Sequence, residues 1–360
     1  MKIGILTFHY GSNYGGVLQC YALQQVLKNM GHDVVVINYH PNDSFKKYAF
    51  VIINLLKKRD KLSWKALWHF VTHHRYSRRV FRTFQESYLQ LSEESSNIND
   101  FIDLDIDTIV VGSDQVWNYS QQKRIEYFLG WLKNPVVIKI SYAACCGHNR
   151  INNQYRTQLI EQLNDFKAIS VRSPETQDFI NELIGVKPPV VADPTMLYDF
   201  KEFVDQKDEK YILTYILTED IKGGNSHAID RIKSKYPDMP VYSIVISDRQ
   251  PRLCLWADKQ LFDVSPNEWV NLIYNCSFLY TDSFHGAVFA LKFGKPFIAY
   301  YSNEGSGKRL IDLKRQFDLK NIATNIDEVK GVLLSDMTTP QYDIDEFQSK
   351  SVSFLKNSIC

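Results

Sequence analysis

The chain has 360 residues, 44% of them hydrophobic and 23% charged, with a net charge of +1. That length favours two domains over one core, and the composition is that of a soluble globular protein. The longest apolar run near the N-terminus, AFVIINLL at 49–56, is too short to span a bilayer, and no small-residue cleavage site follows the strand-like opening, so neither a membrane span nor a signal peptide is expected.

The six cysteines (20, 145, 146, 254, 276 and 360) show no metal or disulfide-framework spacing. Adjacent Cys145 and Cys146 are poor partners for one another, which points to free thiols in a reducing cytoplasm and to no metal site.

In chain order, short β-rich runs alternate with helical patterns, which predicts parallel sheets covered by helices. The first set of strands is KIGILTF (2–8), DVVVINY (33–39), DTIVVG (107–112), VVIKISYAA (136–144), AISVR (168–172) and PVVAD (189–193). Val17, Leu18, Tyr21, Ala22 and Leu27 mark a helix after the opening loop, and Gly31 closes it. A helical stretch at 44–90 interrupts this first set and reads as an insertion. A polar stretch near 199–209 then leads to YILTYIL (211–217), VYSIVI (241–246), FLYTD (278–282) and PFIAY (296–300). Ser265-Pro266-Asn267-Glu268 reads as a capping box with proline at the first helical position. The expected division is 1–198, 209–340 and a C-terminal helix at 341–360. Two βα halves joined by a short linker predict a cleft, with ligands at the carboxyl ends of the strands.

Four strand-end segments could carry chemistry. GSNYGG (11–16) fails the G-x-G-x-x-G spacing and lacks the Gly-Lys-Ser/Thr of a P-loop. It reads either as a turn in which Asn13, Tyr14, Gly15 and Gln19 meet a sugar, or as a plain tight turn with a buried tyrosine. In VGSDQVWN (111–118), Asp114, Trp117 and Asn118 offer a carboxylate, a stacking face and polar recognition. The alternative there is helix capping by Ser113 or Asp114 with Trp117 in the core. In TDSFHG (281–286), Asp282, Ser283, His285 and Gly286 cluster where a strand enters a helix; a histidine in a first helical turn can meet a phosphate or shuttle a proton. In NEGSGKRL (303–310), Gly305 and Gly307 are expected to free backbone N–H groups beside Lys308 and Arg309, suiting an anion. Arg172, ending AISVR, is a further candidate anion clamp.

Taken in order, KIGILTFHYGSNYGGVLQCYALQ, VVGSDQVWN, SYAA, ISVRS, VADPTML and SPNEWVNLIYNCSFLYTDSFHGAVFALKFGKPFIAY resemble the polysaccharide pyruvyl transferase family. Residues 43–90 and most of the tail beyond 325 fall outside the resemblance. It implies an α/β fold of two Rossmann-like domains whose parallel sheets face a cleft, as in glycosyltransferase-B enzymes. It also implies transfer of the enolpyruvyl group of phosphoenolpyruvate to a sugar of a bacterial surface polysaccharide, such as a capsule or exopolysaccharide, or of its lipid-linked precursor, forming a pyruvate ketal. No cofactor is implied, phosphoenolpyruvate being a substrate. His285 and Asp282 would then be catalytic, with Arg172, Ser283, Gly286, Lys308 and Arg309 on the donor. Asn13, Tyr14, Gly15, Gln19, Asp114, Trp117 and Asn118 would meet the acceptor. Two departures stand out: Ser283 occupies a position where many relatives carry arginine, and Ser173 one where many carry an acid. Lys308 or Arg309 is the expected substitute for the missing donor clamp.

Residues 46–82 hold eleven Lys or Arg against one acid, Asp60, among large aromatics that include Phe50, Trp64, Trp68, Phe70, Tyr76 and Phe81. That reads either as a solvated helical insertion or as a face for anionic lipid, placing a cytoplasmic protein peripherally at the inner face of a membrane. Nucleic-acid binding is not expected, because the remainder of the chain is acidic and no nucleic-acid fold signature occurs. A nucleotide-sugar glycosyltransferase and a non-catalytic glycan-binding relative are the competing readings.

Overall fold

The computed structural model describes residues 1–41, 44–58, 61–118, 125–147, 153–218, 220–247, 253–334 and 344–359. The first elements are β1 (Lys2–Leu6), α1 (Tyr14–Asn29), β2 (Asp33–Val36), α2 (Ser44–Lys58), α3 (Lys61–Tyr88), β3 (Thr108–Val111) and β4 (Ile138–Ala144). Then come α4 (Asn153–Asn164), β5 (Ala168–Val171), α5 (Pro174–Ile184), α6 (Pro194–Leu197), β6 (Ile212–Tyr215), α7 (Asn225–Lys235) and β7 (Val241–Val245). The last are β8 (Lys259–Phe262), α8 (Pro266–Asn275), β9 (Phe278–Thr281), α9 (Phe284–Lys292), β10 (Phe297–Tyr300), α10 (Glu304–Gln316), β11 (Ile322–Ala323), α11 (Ile326–Leu334) and α12 (Ile344–Ile359). They form two compact units, one of Met1–Asn42, Gln85–Asp199 and Asp343–Cys360, the other of Asp43–Phe84 and Phe200–Tyr342.

The first unit is built on a parallel sheet in the order β2-β1-β3-β4-β5. Its central strand β3 is buried along its whole length and β4 at every position after Ile138, as an all-parallel sheet covered on both faces requires. Beside it, α1 starts at the N-cap Asn13, whose side chain accepts from Gly16 N, and ends at Met30 before Gly31 at φ 90°. The C-terminal α12 belongs to this unit: Ser351 Oγ accepts from Ala192 N at 2.9 Å, and Gln348 Nε2 donates to Met196 O.

The second unit carries a parallel sheet in the order β11-β10-β9-β6-β7-β8. Tyr280 and Tyr300 stack at 5.0 Å in its core, and both hydroxyls bond Asn225 at 2.8 Å, so the polar atoms that the tyrosines bury are paired. The predicted capping box is present: Ser265 N donates to Glu268 Oε2 at 2.8 Å and Glu268 N to Ser265 Oγ at 3.4 Å.

Three expectations change. PVVAD is not a strand; only Val190 bridges Val171, because two prolines precede it and Asp193 turns instead to cap α6. The short edge strands β8 and β11 have no alternating pattern to announce them. The helical insertion, read as part of the first half, packs in the second unit. His69 Nε2 lies 3.0 Å from Ser247 Oγ, His73 Nδ1 lies 2.9 Å from Asp263 Oδ2, and the His69 ring lies 3.9 Å from that of Phe262. These contacts hold α3 against the ends of β7 and β8. Among the described residues no helix is long and apolar enough to cross a membrane.

Candidate active site

At the carboxyl edge of the second sheet, β9 passes through Asp282 and Ser283 into α9. Ser283 is the N-cap, accepting from Gly286 N at 3.2 Å, which puts His285 in the first helical turn as predicted. His285 is 5% exposed and meets the Phe284 ring edge-on at 5.1 Å. The Arg309 guanidinium lies 5.9 Å from the centre of that same ring. Arg309 belongs to α10, which follows β10, the parallel neighbour of β9. Two helix N-termini therefore stand side by side at this edge, with His285 on one and the cations Lys308 and Arg309 on the other. Backbone N–H groups and the helix dipoles favour an anion there.

Asp282 and Gly286 have other employment. The Asp282 carboxylate accepts from Leu217 N, Thr218 N and Thr218 Oγ1 at 2.6–2.7 Å, fastening the loop after β6. A Cβ on Gly286 would come within 2.8 Å of Thr281 Oγ1, so this glycine serves the close approach of α9 to β9 rather than a donor. The predicted glycine loop at 303–310 is instead helix from Glu304, and Gly307 N donates to Asn303 O at 3.0 Å, so its N–H is already spent. A Cβ there would lie 2.3 Å from the Tyr301 ring, which is why the position is glycine.

In the first unit the polar residues at the strand ends largely satisfy each other. Gln19 is fully buried; its amide donates to Thr7 Oγ1, Phe8 O and Gly16 O, and its oxygen accepts from Ser113 N at 3.1 Å. It welds the loops after β1 and β3 and presents nothing to a sugar. Arg172, 7% exposed, lies 2.7 Å from Asp193 and 3.2 Å from Asp114, both also buried. Ser113 Oγ adds a bond to Asp193 at 2.9 Å. Arg172 is thus committed to two carboxylates and Asp114 to a guanidinium, an arrangement that locks three loops rather than clamping a donor or lining an acceptor surface.

Trp117 is 1% exposed, stacked on Phe128 at 5.4 Å with its Nε1 donating to Tyr127 O, so the core reading holds and it is no sugar platform. Asn118 is buried beside it, with Nδ2 donating to Gln115 Oε1 at 3.2 Å. Tyr14 and Gly15 are buried in the first turn of α1, leaving Asn13 half-buried as its cap.

The sequence model of one family, polysaccharide pyruvyl transferase, matches residues 13–304. The chain belongs to that family. No curated protein matches it in sequence. Among solved structures, the UDP-GlcNAc 2-epimerase of Methanocaldococcus jannaschii, in complex with UDP-GlcNAc and UDP, is similar at TM-score 0.54 and 13% identity, over 99% of this chain and 100% of that one. Anabaena Alr3699/HepE, in complex with UDP and glucose, is similar at 0.52 and 11%, over 99% and 100%. The S. aureus MnaA–UDP structure is similar at 0.51 and 14%, over 99% and 96%. At such identities the likeness concerns the fold, two α/β units of the glycosyltransferase-B kind.

This pyruvyl transferase uses Ser283 as the cap of the helix bearing His285. It also has a half-buried aromatic group at the first unit's edge that the motif reading passed over. The Tyr10 ring lies 5.1 Å from His40 and 6.4 Å from Phe8, and His40 lies 5.4 Å from the buried His9. The available signal was position, since Phe8, His9 and Tyr10 directly follow β1. The contribution of His40, after β2, shows only once β1 and β2 pair.

Proposed function

We propose that this transferase moves the enolpyruvyl group of phosphoenolpyruvate onto a sugar of a surface polysaccharide or its lipid-linked precursor. The observation that carries the reading is His285 in the first turn of α9, with Arg309 against the ring of the adjacent Phe284. Phosphoenolpyruvate brings a phosphate and a carboxylate, which match the helix N-termini and cations of the second unit. A sugar hydroxyl adds through its oxygen to the carbon bearing the phosphate while the methylene carbon takes a proton from His285, which the hydroxyl's own proton then replaces. Phosphate leaves, and a second hydroxyl of the same sugar loses its proton and closes the ketal. None of these steps calls for a cofactor. Within the first unit, Asn13 and the rings of Phe8 and Tyr10 form a surface that suits sugar C–H faces. A lipid-linked acceptor would bring the reaction to the inner face of a membrane.

The test is incubation with phosphoenolpyruvate and lipid-linked oligosaccharides. Phosphate release together with a mass gain corresponding to a ketal is expected. Thermal stabilisation by UDP-sugars but not by phosphoenolpyruvate would overturn the reading in favour of a glycosyltransferase.

A further inference from the structure

The outer face of the α2–α3 insertion is unusual for a protein surface. The two helices pack on each other through Leu55, Ala66 and Phe70, with Val51, Ile52 and Leu67 around them. On α3, Ser63, Ala66, Phe70, His74, Ser77 and Phe81 point inward and are buried. The opposite stripe, at three- and four-residue spacing, carries Lys61, Trp64, Lys65, Trp68, Val71, Arg75, Arg79 and Arg82, all exposed. Trp64 is 55% and Trp68 73% exposed. Phe50 and Ile53 on the outer face of α2, and Tyr76 on α3, extend the apolar surface. Single exposed apolar residues need no account, but large aromatics aligned on one face and flanked by cations do.

We infer that this face docks on an anionic phospholipid bilayer, with the helices lying in the interface. Charge complementarity selects the occupant: residues 46–82 hold eleven Lys or Arg and the single acid Asp60, which lies outside the described residues. Tryptophan sits at the headgroup level with its apolar body toward the acyl chains, while Lys and Arg extend to the lipid phosphates. The contacts of His69 and His73 with Ser247, Phe262 and Asp263 fix the inner face, so docking requires no unfolding of the hairpin. The inference goes beyond the proposed reaction and does not depend on its donor.

The test uses the full chain and vesicles of phosphatidylglycerol and phosphatidylcholine in equal parts, with pure phosphatidylcholine as control. Co-sedimentation with the anionic vesicles alone is expected, together with a blue shift of tryptophan emission and release by high salt. Neutralising Lys61, Lys65, Arg75 and Arg79 together should weaken partitioning roughly 100-fold or more, since each interfacial cation contributes about five-fold. W64S/W68S should also weaken it and abolish the blue shift, with circular dichroism unchanged because both side chains are exposed. Absence of wild-type binding to anionic vesicles, or binding that survives both variants, overturns the inference. So does dimerisation lost in W64S/W68S without vesicle binding, or preference for a single-stranded oligonucleotide over vesicles. A vesicle-binding failure with transfer to a soluble acceptor intact leaves the proposed reaction standing.

Discussion

Arg172 lies between Asp114 and Asp193, and all three side chains are buried. Removing the guanidinium would leave two carboxylates in a poorly solvated site, and breaking a buried pair in this way costs about 3–5 kcal/mol. Arg172→Ala is therefore expected to shift the urea unfolding midpoint strongly. Wild-type stability with weakened donor binding would instead restore Arg172 as a donor clamp. His285 calls for a different experiment. His285→Ala is expected to lower transfer by at least about 100-fold, the scale of a lost proton donor, with far-UV circular dichroism retained. Wild-type turnover in that variant would remove His285 from the chemistry. Strand-end position is visible in the sequence for both residues. That Asp114 and Asp193 reach Arg172 from other loops is information that local spacing does not carry.

At the scale of elements, α9 rests on β9 through the missing side chain of Gly286. A methyl group there would press to 2.8 Å on Thr281 Oγ1, which donates to Tyr215 O and accepts from Ser283 N. Gly286→Ala is expected to cost about 1–3 kcal/mol through overpacking and to lower kcat by displacing His285. The control is Gly331→Ala in α11, where a Cβ meets nothing within 4 Å and the change should be neutral or stabilising by up to about 1 kcal/mol. Paired thermal melts and turnover of the two variants decide the matter; equal behaviour would refute the packing argument. Elements governed by local chemistry were legible: α1 with its closing Gly31, α8 with its box, and the long buried strands. The start of α10 was not, because glycines that mark a loop in isolation here accommodate the ring of Tyr301 against a helix.

Over the whole molecule, stability should fall on acidification. Burial pushes the His9 imidazole down to about 4, outweighing the hydrogen bonds with Asn38 and Thr7 that raise it. His69 is also lowered to about 4, by burial first and by neighbouring His73 second. The folded state keeps both rings neutral while the unfolded chain takes up protons below about 6.5. Their contribution is thus complete above about pH 6.5 and is lost as pH falls towards 4, with His9 alone accounting for up to about 3 kcal/mol. Chemical denaturation at pH 7.5, 6 and 5 checks this, and His9→Gln should flatten the dependence; a pH-independent midpoint would contradict it. The sequence by itself determined two parallel α/β sheets, the capping box of α8, the closing glycine of α1, the position of His285 in a first turn and the basic aromatic character of residues 46–82. Only the tertiary structure decided which unit holds the insertion and which polar strand-end residues are already spent. Parallel strands bring distant loops to one edge, as with Gln19 and Ser113, 94 residues apart. Buried polar groups there must find partners, and strand order, not local spacing, determines which partners come within reach.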